Sequence, residues 1–143
     1  QGVGITLTVQ NQNIKYIYLN NKIDFPTAYV SHPSTKFSGI YLDYIMPLTY
    51  PDFSVGSLVY IKRIAINLFA DFAKNSYKTN QNYSIVTLTD DLQSIGFEAI
   101  VDLHFLRTWY PIRFRFTQAF IGRDYRAYSN IGLSINFFAG QNL

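Results

Sequence analysis

SIGFEAIVDLHF, running from Ser94 to Phe105, is the stretch on which the fold turns. Taken two residues at a time, it places Ile95, Phe97, Ala99, Val101, Leu103 and Phe105 on one side and Ser94, Gly96, Glu98, Ile100, Asp102 and His104 on the other. That period of two belongs to a β-strand. The first side is wholly apolar, while the second carries two acids, an imidazole, a serine and a glycine. Two kinds of sheet accommodate such a strand. A water-soluble sheet buries the oily side and wets the acids, whereas a transmembrane barrel turns the oily side to lipid and the acids to its lumen.

Composition favours the second. The chain has 143 residues, enough for one domain. Aromatic residues make up 17% of it, with 12 Tyr and 12 Phe, and these favour strands and collect at membrane interfaces. Charged residues are only 15%, against about 25% in an average soluble domain. The net charge of +3 comes from scattered Lys and Arg, so no nucleic-acid footprint is present. With no cysteine, a disulfide framework and a thiolate metal site are both excluded. No run of about 18 apolar residues exists, which excludes an ordinary spanning helix but not a barrel, whose signature is alternation.

Outward from Ser94–Phe105 the same alternation recurs. Val3, Ile5, Leu7 and Val9 form a first candidate strand, and Ile40, Leu42, Tyr44 and Met46 the apolar side of another, which also carries Asp43, while IKYIYL from Ile14 to Leu19 between them is β-rich but apolar on both sides. DFPTAYVSHPSTK, Asp24 to Lys36, contains two prolines and little periodicity and reads as a loop. PLTYPD connects to a strand beginning at Val55. RIAINLFADFAK, Arg63 to Lys74, fits both periods: as a strand it turns Asn67 and Asp71 inward, and as a helix it lines up Arg63, Asn67, Asp71 and Lys74. Its neighbours favour the strand. NSYKTNQN, Asn75 to Asn82, reads as a polar loop before a strand from Tyr83 to Thr89. TWYP, Thr108 to Pro111, has the composition of an interfacial girdle. Beyond it Ile112, Phe114 and Phe116 alternate with Arg113 and Arg115, and Ile131, Leu133, Ile135 and Phe137 alternate with Asn130, Ser134 and Asn136. About seven or eight strands in one β domain over residues 1–143 are implied.

YIMPLTYPDFSVGSLVYIKRIAINLFADF, Tyr44 to Phe72, together with Ser94 to Phe116, resembles the carboxy-terminal barrel region of Bacteroidota outer-membrane proteins, a group distantly similar to the BamA surface-antigen type and in some members preceded by a periplasmic propeller. NIGLSINF resembles the aromatic-ended strand that finishes such barrels, here followed by FAGQNL. The resemblance implies an antiparallel transmembrane β-barrel in the bacterial outer membrane, whole or as the terminal strands of a longer one. Its role would be a non-enzymatic anchor, pore or assembly scaffold. Membrane lipids and other envelope proteins would be its partners.

On that reading Phe97, Val101, Leu103, Phe114, Phe116, Leu133 and Ile135 face lipid, while Asp43, Asp71, Glu98, Asp102, His104, Arg113, Arg115 and Asn136 form a luminal polar network, its acidic and basic rows meeting across antiparallel strands. Two alternatives compete: a soluble lipocalin-like barrel with an apolar ligand inside, and a barrel lipid hydrolase using Ser94 or Ser134 with His104 and Asp102 or Glu98. No nucleophile elbow supports the hydrolase, and a single His among polar groups is more often a structural hydrogen-bonder. The chain is therefore expected not to be an enzyme. Asp90, Asp91 and Asp124 are the only acids arranged to suggest a cation, and paired loop acids are usually just solvated. No phosphate-cradling or cofactor motif is present.

Overall fold

Alternation that long demands partners of matching length. The computed structural model describes residues 1–11, 25–30, 34–56, 58–81, 84–105 and 111–135. Its strands are β1 (Gly2–Asn11), β2 (Lys36–Thr49), β3 (Phe53–Val55), β4 (Val59–Gln81), β5 (Ser84–Phe105), β6 (Pro111–Ile121) and β7 (Arg126–Ile135). They form one antiparallel sheet of order β1-β2-β4-β5-β6-β7, with β3 pairing the start of β4. The Ile14–Leu19 candidate lies outside the described residues.

The ambiguous Arg63–Lys74 segment is strand, inside the 23-residue β4. Asn75 to Gln81, expected as loop, continues that strand and pairs residue by residue with Ser84–Asp90 of β5. Their polar composition hides them: beyond buried Asn75 the side chains of 76–79 are partly or fully exposed, and where neither face is buried no side of a strand needs to be apolar.

Closure does not occur. The sheet is open: β1 and β7 are its two ends, and neither pairs with the other. The transmembrane barrel expected above is therefore corrected to an open all-β sheet. The expected lipid partners and outer-membrane location lose their structural basis with it, because the described strands do not close. The lipocalin-like alternative falls for the same reason: the described strands do not close around the apolar face. No helix among the described residues is long and apolar enough to cross a membrane.

Register divides the sheet into two faces. Leu7, Ile40 and Phe72 align across β1, β2 and β4, and Ile66, Ala99, Phe116 and Ile131 across β4 to β7. This apolar face is the open one. The buried residues Phe37, Tyr41, Ala65, Phe69, Ala73, Ile100 and Ala119 all lie on the opposite, polar-bearing face. Part of their cover comes from residues 25–30 and 34–35. The Phe25 ring packs 5.0 Å from that of Phe37, Pro26 is fully buried, and Thr35 is tied to the Ser76 carbonyl through its N–H at 2.8 Å and its hydroxyl at 2.7 Å.

Candidate functional site

Three polar clusters are built on the buried face. In the first, Arg63 of β4 and Arg113 of β6 flank Asp102 of β5 as direct cross-strand neighbours. The Arg63 Nε donates to Asp102 Oδ2 at 2.8 Å and the Arg113 Nε to Oδ1 at 2.6 Å. A bulge between Ile61 and Arg63 makes this possible. It shifts the pairing of β4 by one residue, so that Tyr60 and Arg63, three apart, share a face. His104 stands opposite Tyr60, ring centroids 6.2 Å apart.

Burial raises the Asp102 carboxyl, but hydrogen bonds and charge from Arg113 and Arg63 outweigh it and hold the group below its ordinary value. Donating this hydrogen bond to Asp102 raises Arg113 in turn. A carboxyl depressed on folding adds stability above its unfolded value of about 4, and that contribution is lost as pH falls through the folded one. Asp102→Asn is accordingly expected to cost about 1 to 3 kcal/mol at neutral pH, the lower part of that range reflecting the partial exposure of both arginines. The gap from wild type should narrow on acidification below about pH 4 in denaturant titrations. A gap that stays constant down to pH 2 would assign the loss to something other than the carboxylate.

In the second cluster Asn67 donates through Nδ2 to Asp43 Oδ1 at 3.0 Å and Glu98 Oε2 at 3.3 Å. Glu98 Oε1 accepts from Thr117 at 3.2 Å and lies 3.8 Å from an Arg115 nitrogen. In the third, buried Asp71 accepts from the Thr27 N–H at 2.8 Å and the Ser94 hydroxyl at 3.1 Å. Tyr29 donates to the Gln93 carbonyl at 3.1 Å. Clusters two and three therefore fasten the 25–30 segment and the four central strands to one another. Beside them an open cleft of about 430 Å³ is bordered by Thr27, Glu98, Arg115 and Asn130.

On the opposite face large apolar side chains stand free across the whole width: Ile5 at 67% exposure, Leu68 at 47%, Phe114 at 43% and Leu133 at 59%. Among the described residues the edges are equally open. β1, GVGITLTVQN, has no charged residue and no proline, and β7, RAYSNIGLSI, has only Arg126. Natural edge strands ordinarily carry charge, proline or a bulge to discourage pairing.

No family model, curated protein or solved structure matches this chain. The resemblance to Bacteroidota outer-membrane barrels thus has no support from relatives, and the open sheet removes its structural basis.

Of the residues singled out from sequence, Asp43, Asp71, Glu98, Asp102, His104, Arg113 and Arg115 lie on the buried face, lining no enclosed lumen. Asn136 lies outside the described residues. Phe97, Val101, Leu103, Phe114, Phe116, Leu133 and Ile135 share the open face. The hydrolase set is not assembled: Ser94 and His104 are ten residues apart on one strand, about 33 Å, and Ser134 of β7 pairs with Arg113, with β6 between it and the β5 strand of His104, about 10 Å away across the sheet. Asp102 is meanwhile engaged by two arginines. Asp91 pairs with Lys74 at 3.6 Å, and the described residues hold no group of three metal-ligating side chains. Sequence reading missed Arg63 and Thr27. The first depends on a bulge within one strand, and the second on a loop contact 44 residues away in sequence.

Proposed function

We propose that this chain is a non-catalytic structural module that works by assembling with other protein, its open face packing against a second apolar β-layer. A single observation supports this: the fold buries its polar-bearing face and leaves the apolar side chains of six successive strands uncovered. Sheets with one oily face are stable in two-layer arrangements, and contiguous apolar patches of this size mark interaction surfaces. Six strands about 4.8 Å apart, each presenting roughly ten residues at about 3.3 Å, give a face of roughly 900 Å². That is close to the ~800 Å² per partner of a standard protein interface. Sheet-on-sheet packing about 10 Å apart with interdigitated side chains suits such a face. The polar clusters serve as the frame, fixing strand register behind it.

The test is a pair of lysines in the middle of the face, Leu68→Lys with Phe114→Lys, both at exposed positions. Far-UV circular dichroism should keep its β signature. Association measured by light scattering across concentrations, and binding of a hydrophobic dye, should both drop. Unchanged association in the variant would contradict the proposal. So would a wild-type chain that floats with phosphatidylcholine vesicles and never associates with protein.

A further inference from the structure

The β1 edge carries more information than its lack of charge. For two antiparallel copies of one strand, side chains directly opposite each other lie on the same face, so a two-fold axis at Thr6 brings Thr6 against Thr6, Ile5 against Leu7 and Val3 against Val9. Every apolar residue of the strand then meets another. The residues between them, Gly4 with Thr8 and Gly2 with Gln10, are small or uncharged. Because no position bears a charge, the edge suffers no repulsion against its own copy, the usual barrier to self-pairing.

Alternation alone does not guarantee this. On β7 the full-length register about Ile131 sets Leu133 against Ser129 and Ile135 against Ala127, while the register that matches Ile131 with Ile135, about Leu133, pairs only residues 131–135 of the strand, and β7 also carries Arg126. Nor is β1 shielded. Val3 and Val9 are 75% and 84% exposed, and the β1–β2 pairing runs from Gly2 to Asn11 without a bulge that would turn the edge away.

We infer that the partner at this edge is a second copy of the chain, joined β1 to β1 in antiparallel two-fold register about Thr6 to give one continuous sheet across both copies. The inference rests on the reading of the chain as an assembling module and names the occupant of one of its edges. A two-fold contact closes after a single interface. Joining β1 of one copy to β7 of the next would also match apolar residues, Ile5 with Leu133 and Leu7 with Ile131, but leaves a free edge at each end and propagates. The contact is a strand pair and therefore a small, reversible interface.

Because the chain has no cysteine, a single introduced thiol reports the register directly. Thr6→Cys should form a disulfide-linked dimer under mild oxidation, since residues directly opposite in an antiparallel pair are about 4.5 to 5.5 Å apart, within disulfide reach. Thr8→Cys should not, its own copy standing four residues away, about 13 Å. Ile5→Lys should weaken dimerisation by about tenfold or more while leaving circular dichroism unchanged. Three results would overturn the inference. If Thr6→Cys stays uncrosslinked while light scattering shows association, the self-paired edge is wrong and the assembling module stands. If Thr6→Cys crosslinks instead to Gly132→Cys in a mixture, the contact is head-to-tail. If the chain remains a folded monomer that associates with nothing, both fall together.

Discussion

Gly96→Val is expected to prevent or severely weaken folding, by about 3 kcal/mol or more. Gly96 sits in β5 directly opposite Phe69 of β4 on one side and Ala119 of β6 on the other. A Cβ at this position would lie 2.8 Å from the Phe69 Cζ and 2.9 Å from the Ala119 Cα, and would run into the Gln118 carbonyl as well. Two of those three atoms are backbone of the neighbouring strand and cannot withdraw without breaking the ladder. The arrangement lets a buried aromatic ring cover a glycine across the strand pair. Gly39 gives the contrast. There a Cβ would first meet the outer end of the Tyr41 ring rather than backbone, so Gly39→Ala should cost less, about 1 to 2 kcal/mol. Urea midpoints measure both, and a Gly96→Val midpoint near wild type would contradict the packing of β4 to β6.

Phe37→Ala is expected to cost about 3 to 5 kcal/mol, the range for removing a fully buried aromatic ring. Phe37 is 2% exposed and anchors the cluster of Tyr41 and Ala73 with Phe25 and Leu92 packed against it. The ring also joins the sheet to residues 25–30 through Phe25, so its loss should raise hydrogen exchange at Thr27 and Tyr29. Phe72→Ala, on the open face at 49% exposure, is the paired control and should cost under about 1 kcal/mol. Hydrophobicity alone ranks the two phenylalanines equally. Equal losses would mean that the open face is packed in the isolated chain.

That pair also shows where sequence reading succeeds and where it stops. The alternation in Ser94–Phe105, Ile112–Phe116 and Val3–Val9 is enough to identify strands and to sort their residues into two faces, because side-chain period is local physics. Closure is not local. Whether β1 meets β7 depends on how the strands twist and stagger together, and no single strand encodes it. The burial of the polar-bearing face was equally hidden. Its cover includes a proline-containing segment without periodicity, and its acids are made tolerable by partners such as Arg63 and the Thr27 N–H that only the assembled sheet brings close. The polar end of the β4–β5 hairpin read as loop since propensity and pattern both fall silent where water bathes each side.

Hydroxyl-radical footprinting read by mass spectrometry addresses the two-faced sheet most directly. In dilute chain, Phe114, Phe116 and Leu133 should oxidise readily while Phe37, Tyr41 and Phe69 stay protected, and raising the concentration or adding a partner protein should protect the first group alone. Ready oxidation of Phe37 and Phe69 in the dilute chain, with Phe114 and Leu133 shielded at every concentration, would show that the sheet buries the other face and that the surface assigned to assembly is its core.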